Sequence, residues 1–460
     1  MIRFLLWLIA IFLFGVQGSP LLSRETDGSM FPQWEAEEEP GGGSNEDFAE
    51  APDDESDEDG IGETDEDAGE DYIAPVFGES GSYMQSVGEA RFPLFVVSFQ
   101  DVTYRDSMVS KEDLEEWLFT GNDSVRSYFD TASYGRLHIG GDVYFYEAEG
   151  EIASYENDDG FENLVMEALT YYDEEIDFSQ YDCNGDSVMD SLVIAVPSGG
   201  DVDFWWGCQA TWYQNPDFRV DGIAVNTYII NDEQPYKGQR EIYQGTIEHE
   251  LGHCMGLPDY YKYNSDDWEA FHGIAGGERM DDSTGDFCQF SKLMLGWLRN
   301  DQVKPVEPDT QNASFLLPPV HEGGCVVIFP QDGRMDFNSE YFLVEYNTPE
   351  GNNQGLFTPE EAGVRIFHVN ARIEEDNYYG SPYYRYDNFS PFYNESDEGI
   401  RVLKLINDGE GFYQAGDRIV YGEASNFGWY TPAGSLKDPK LTIQVGGITD
   451  EGVEITVVRQ

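Results

Sequence analysis

The sequence predicts an α+β fold whose C-terminal part is β-rich and sandwich-like. Two textures lead to that expectation. Up to about residue 300, apolar strands alternate with helix-spaced segments, and beyond it short β-prone runs follow one another between Gly, Pro, Asn and Asp. Size is the third observation: 460 residues suffice for two domains, or one large one with additions, and for a sizeable core.

The chain opens with "MIRFLLWLIAIFLFGVQGSP". Arg3 precedes an apolar run, and Val16 and Gly18 are small residues at the spacing a signal peptidase accepts. Residues 1–18 therefore read as a secretory signal peptide, and the mature protein is expected to be secreted. The apolar run is short for an uncleaved anchor, and no later stretch reaches membrane-spanning length, so no stable membrane insertion is expected. Residues 19–88 hold a single basic residue, Arg24, among many acids and few apolar side chains. Such a segment cannot bury enough surface to offset its chain entropy. It reads as disordered, either a spacer or an inhibitory pro-segment.

From residue 89 the composition becomes that of a folded domain, read as a first unit over 89–300. "RFPLFVVSFQDV" is a buried strand, and "KEDLEEWLFTG" an amphipathic helix closed by Gly121. "NDSVRSYFDTASYGRLHIGGDVYFYEA" reads as a second short helix, a Tyr-Gly turn and a strand. "FENLVMEALTYYDEEIDFSQY" has helical spacing, and "SLVIAVPSGG" is a continuous apolar strand. A second, β-rich unit over 301–460 carries "ASFLLPPV", "GCVVIFP", "EYFLVEYN", "GVRIFHVN", "RVLKLIN", "KLTIQVGGI" and "GVEITVVRQ". Their spacing fits an antiparallel sheet or sandwich.

Charge narrows the partners. With 90 acidic and 25 basic residues the chain carries a net charge of −65. It is repelled by nucleic acid and anionic membranes and suits divalent cations or cationic peptides. Five cysteines, in a chain read as exported, allow one or two disulfides and leave at least one thiol unpaired. Cys254 is either bonded to a partner such as Cys288 or a buried free thiol.

The sharpest chemistry lies in "IEHELGHCMGLPDYY", residues 247–261. Residues four apart on a helix lie one above the other, so His249 and His253 can present their imidazoles to one zinc ion. Glu250 sits on a neighbouring face, within reach of a metal-bound water without being a ligand. Gly256 can take the positive φ that ends the helix and turns the chain back. Asp259 then arrives as a third ligand, leaving a fourth position open, as a catalytic zinc site requires. In a chain of this length the His-Glu-x-x-His core alone arises by chance on the order of one time in a hundred.

This stretch resembles the pattern HExxHxxGxPDxY of the immune inhibitor A family of secreted zinc metallopeptidases. "SVRSYFDTASYGRLHIGGDVYFY", "DFSQYDCNGDSVMDSLVIAV", "GERMDDSTGDFCQFSKLMLGWL", "EYFLVEYNTPEG" and "GVRIFHVN" are similar to further segments of that family. The resemblance implies a metzincin-like catalytic domain with zinc on His249, His253 and Asp259. It also implies Glu250 as general base, Met280 in the turn beneath the metal, and protein or peptide substrates. Cationic peptides suit the acidic surface, and a monomer is favoured. The sequence departs from the family at "DFWWGCQATW", which lacks a Trp-Pro-His, and at "GERMDD", which lacks the Trp-Asp before the methionine.

"DCNGDSVMD" is a second metal candidate, for a structural calcium ion. Asp182, Asn184, Asp186 and Asp190, with the Val188 carbonyl, alternate as oxygen ligands do in calcium loops. Ser187 stands where an EF-hand loop has glycine, and an Asx-rich turn is the competing reading. Asn388 is among four glycosylation sequons. The rival to an enzyme is a calcium-dependent binding or adhesion protein on a protease-like scaffold.

Overall fold

The computed structural model describes residues 72–77, 83–104, 109–157, 159–197, 204–232, 238–261, 273–375, 382–386, 388, 399–406, 412–432, 434–449 and 451–460. Residues 1–18, read as a signal peptide, and most of the acidic segment lie outside them.

Alternation along β1 (Gly88–Ser98) organises the first half, for Leu94 and Val96 enter one core while Phe95 and Val97 enter another. β1 pairs in parallel with β2 (Leu137–Glu147) and with β3 (Val193–Ala195). β4 (Cys208–Thr211) is antiparallel to β5 (Thr227–Asn231) and closes the sheet, whose order is β2-β1-β3-β5-β4. β4 is thus an edge strand. Between β1 and β2 lie α1 (Lys111–Glu115), continued as a π turn to Gly121, and α2 (Val125–Ala132). Ser124 caps α2 through a reciprocal capping box with Ser127. The Tyr-Gly turn expected after α2 forms with Tyr134 and Gly135 both at positive φ. α3 (Gly160–Tyr172) packs Leu164, Val165, Ala168 and Leu169 on the face of the sheet that bears Phe95.

The opposite face receives α4 (Arg240–Cys254), α5 (Arg279–Asp282) and α6 (Gln289–Met294). All seven β-prone runs after residue 300 are strands. β6 (Val303–Val306), β8 (Cys325–Ile328), β9 (Glu340–Asn347), β10 (Gly363–Asn370) and β11 (Leu403–Leu405) form a second sheet, ordered β11-β10-β9-β8-β6. β7 (Asn312–Leu317), β12 (Arg418–Ile419), β13 (Leu441–Thr449) and β14 (Gly452–Arg459) form a third, ordered β12-β13-β14-β7. The α+β class and the β-rich C-terminal part are therefore both present.

Across residue 300 one core is shared, while another is drawn wholly from residues 306–457. On β9, Tyr341 and Leu343 join the core that holds Ile247, Leu251 and Met280, while Phe342 and Val344 face the third sheet. The described residues from Tyr72 onward fall within one compact unit. The β-rich part shares a core with the helices because its middle sheet is apolar on both faces.

The boundary at residue 88 also shifts. Tyr72 bridges to Arg299, and the Ile73 and Val76 amides donate to the Leu298 and Met294 carbonyls at 2.9 Å. The Met84 amide donates to the Cys254 carbonyl at 2.8 Å, and Trp297 Nε1 to the Ser86 carbonyl at 2.7 Å. Residues 72–77 and 83–88 are thus a brace on the ends of α4 and α6. Their few apolar residues bury well: Phe77 and Met84 are core.

Candidate metal centre

α4 carries His249, Glu250 and His253, and ends at Met255. Gly256 then takes φ +95°, and a Cβ there would lie 2.4 Å from the Phe77 ring, so glycine is required twice over. The reversal returns Asp259 to the helix. Its Oδ1 lies 3.1 Å from Nε2 of His249 and 3.1 Å from Nε2 of His253. Among the described residues this is the one cluster of three or more His, Cys, Asp or Glu side chains suited to hold a metal ion.

The other nitrogen of each ring is fixed. Nδ1 of His249 lies 2.8 Å from the Arg279 carbonyl, and Nδ1 of His253 lies 2.7 Å from the Leu257 carbonyl. A carbonyl only accepts, so both Nδ1 atoms carry hydrogen and donate. Both Nε2 lone pairs then converge with a carboxylate oxygen, and only a cation, proton or metal, relieves that gathering of acceptors. Without metal a proton serves: burial alone would lower the His253 pKa, yet Asp259 outweighs it and raises it to about 9. Burial alone would raise the Asp259 pKa, yet the two imidazoles hold it well below the usual carboxylate range. Tetrahedral bonds of about 2.0–2.1 Å set ligand atoms roughly 3.3 Å apart, close to the observed spacing. Two imidazoles and one carboxylate, each oriented by a hydrogen bond or a neighbour, fit a divalent zinc-type ion.

Glu250 stands beside this cluster and not in it. It is buried, and its Oε2 accepts the Gln209 amide of edge strand β4 at 2.6 Å. β4 approaches α4 closely because Gly207 leaves room for Thr246, whose methyl would lie 2.8 Å from a Cβ there. Met280 is fully buried beneath the helix, and a Cβ on Gly252 would lie 2.5 Å from its Sδ. The Tyr260 amide donates to the Met280 carbonyl at 2.9 Å, tying the turn to the Asp259 loop. Of the neighbouring tyrosines, Tyr260 is buried with its hydroxyl 2.9 Å from Ser291 Oγ. The Tyr261 ring lies instead over His249, with centroids 6.2 Å apart and planes at 27°.

Other parts of the centre left little trace in the sequence. Glu248 and Arg279 form a buried ion pair at 3.0 Å, and the Glu278 carboxylate accepts the Met280 and Cys288 amides. Asn388 is fully buried, donating to the Tyr260 and Leu403 carbonyls at 2.9 and 2.7 Å, which removes it as a glycosylation site. Charged residues with few local partners, in a chain segment flanked by core residues, were the available signal in "GERMDD".

The Asp-rich loop looks different. Asp182 Oδ1 accepts the Gly185 and Asp186 amides, its Oδ2 the Ser187 amide, and Asp186 Oδ1 the Val188 amide. Asn184 bonds Asp186, while Asp190 turns inward to accept the Arg91 and Cys183 amides and the Gln85 side chain. The carboxylates of Asp182, Asp186 and Asp190 do not converge on one point. Asp182 and Asp186 hold the loop's own backbone, and Asp190 ties the loop to Gln85 and Arg91.

The disulfide expectation also fails, since all five cysteines are free. Cys254 Sγ sits 3.5 Å from Ser191 Oγ, and Cys288 Sγ 3.5 Å from Ser291 Oγ. Each thiol is packed against a hydroxyl in the core rather than against another thiol.

No protein-family model matches the chain, and no curated protein matches it. The likeness to the immune inhibitor A pattern thus rests on motifs and not on a match along the chain. Among solved structures, wild-type OgpA from Akkermansia muciniphila is 14% identical, over 66% of this chain and 94% of that one, with a TM-score of 0.27. Catalytically inactive OgpA from the same organism, in complex with an O-glycopeptide (glycodrosocin) substrate, is 13% identical. That match covers 66% of this chain and 93% of the other, with a TM-score of 0.24. So distant a likeness assigns neither fold nor activity.

Proposed function

We propose that this chain is an exported zinc-dependent metalloendopeptidase with a metzincin-like catalytic site. The observation that carries the reading is the convergence of His249 Nε2, His253 Nε2 and Asp259 Oδ1, with both Nδ1 atoms held by carbonyls. Those three side chains would hold the ion. Zinc bound there supplies a Lewis acid that polarises a scissile carbonyl and acidifies a water.

The remaining steps belong to the chain. Glu250 Oε2 is held by the Gln209 amide, so Oε1 is the oxygen that takes the proton from water and hands it to the leaving amine. Burial of Glu250 against α4 and β4 keeps bulk water from competing for that proton. Met280 and Gly252 give the helix a close-packed floor, which limits drift of His249 and His253. Export follows from the reading of residues 1–18, and cationic peptide substrates from the net charge of −65.

Digestion of casein or a peptide library by the purified chain tests this, with o-phenanthroline and Glu250→Gln as controls. Chelator-sensitive cleavage that the variant loses supports the reading. Cleavage that survives both rejects the zinc mechanism, and no cleavage by zinc-loaded protein rejects the reading and leaves the binding-protein alternative.

A further inference from the structure

We infer that Arg279, through its buried ion pair with Glu248, is a positioning residue that holds the His249 imidazole in its metal-facing orientation. The inference rests on reading His249, His253 and Asp259 as a zinc tripod.

On its outer side His249 is held by one bond, from its Nδ1–H to the backbone carbonyl of Arg279. That carbonyl belongs to α5, a helical turn of four residues that cannot hold its own position. The Glu278 carboxylate and the Tyr260 amide hold Met280, and the Arg279 side chain holds the residue whose carbonyl meets His249. Nη2 meets Glu248 Oε2 at 3.0 Å and the Gly285 carbonyl at 2.8 Å, Nε donates to Tyr128 Oη at 3.1 Å, and Nη1 donates to the Ser283 carbonyl. The guanidinium also lies 4.4 Å from the centre of the Tyr128 ring. Glu248 directly precedes His249, so one residue's side chain and the next residue's ring grip the same arginine, at its guanidinium and its carbonyl.

The helix is shaped for this contact. A Cβ on Gly245 would lie 3.0 Å from Arg279 Nη1 and 2.8 Å from the Ser283 carbonyl, while one on Gly252 would strike Met280. Gly245, Glu248, His249 and Gly252 follow helical spacing along one stripe of α4, and the stripe fits the turn. Two helix-interior glycines, each unfavourable by about 1 kcal/mol against alanine, are thereby explained. Arginine is required because one planar fork serves a carboxylate, a hydroxyl and two carbonyls, which an ammonium cannot reach together. This is also the place where the sequence departs from the Trp-Asp of the family it resembles.

The test uses the full chain and two readouts, the zinc dissociation constant by competition with a chelator and the thermal midpoint of the metal-free protein. Arg279→Met and Arg279→Lys are expected to weaken zinc binding about tenfold to a hundredfold, the range for lost partners of a metal-ligating histidine. Gly245→Ala is the second variant. It favours the helix, yet should weaken zinc binding by displacing the guanidinium. Glu340→Ala is the control for stability alone, since it breaks the buried contacts to His368 and the Tyr430 amide in the C-terminal sheets. It should lower the midpoint and leave zinc affinity alone. If Arg279→Met or Gly245→Ala binds zinc within about twofold of the parent, the pair is structural only and the inference falls. A parent chain that binds no zinc overturns the tripod reading itself, and the clamp with it.

Discussion

Two segments of this chain look like metal loops in the sequence, and they satisfy their polar atoms in different ways. Around 249–259, each imidazole has its outer nitrogen occupied by a carbonyl, so the inner lone pairs are left facing Asp259. Around 182–190, the carboxylates are themselves occupied, by amides of their own loop and by Arg91 and Gln85. The difference lies in what satisfies each donor atom. At the histidines the backbone holds the far side of each ring, whereas in the acidic loop it holds the carboxylates themselves.

The largest effect should come from removing a member of the first cluster. His253→Ala should weaken zinc binding by more than about a hundredfold and abolish hydrolysis, measured by metal analysis after dialysis and by peptide cleavage. Tight stoichiometric zinc in that variant would erase the contrast. Glu250→Gln should lower kcat about 10²–10⁴-fold while zinc content stays at one per chain, which separates the proton carrier from the ligands.

A smaller effect is set by pH. In the metal-free chain the raised His253 pKa stabilises the fold fully below its unfolded value of about 6.5. That contribution disappears as pH rises through about 9. Asp259, held low, contributes above its unfolded value of about 3.9 and loses that contribution only as pH falls through its depressed pKa. Thermal melts in EDTA should therefore show falling stability between about pH 6.5 and 9, and zinc should remove that fall. A metal-free chain whose midpoint is flat across that interval would refute the proton bridge.

The smallest effect belongs to the second loop. Asp190→Ala should cost about 1–3 kcal/mol in urea unfolding by removing the buried carboxylate that accepts the part-buried Arg91 and Cys183 amides, equally in calcium and in EGTA. A calcium-dependent rise in the thermal midpoint, lost in Asp182→Ala, would restore this loop as a cation site.

Much of this was legible in the sequence because it is written locally. Helical spacing of His249 and His253, glycine at 256 and the alternation along the later strands each follow from a few neighbouring residues. What stayed hidden is long-range. Glu248 meets Arg279 across 31 positions, and Asn388 reaches Tyr260 across 128. The shared core of β9 escaped notice because a strand apolar on both faces reads the same whether its second face meets a helix or another sheet. Sequence texture suggested a boundary at 300 for the same reason. The thiols misled because a cysteine count carries no distance.

The braces at 72–77 and 83–88 set where this polypeptide tolerates processing. A proteolytic nick ahead of Tyr72 would shed most of the leading acid stretch and leave Phe77 seated against Gly256. A nick between Phe77 and Met84 would cut the link between a segment bonded to the end of α6 and one bonded to the end of the histidine helix. Maturation, if the chain undergoes it, has one permissive side.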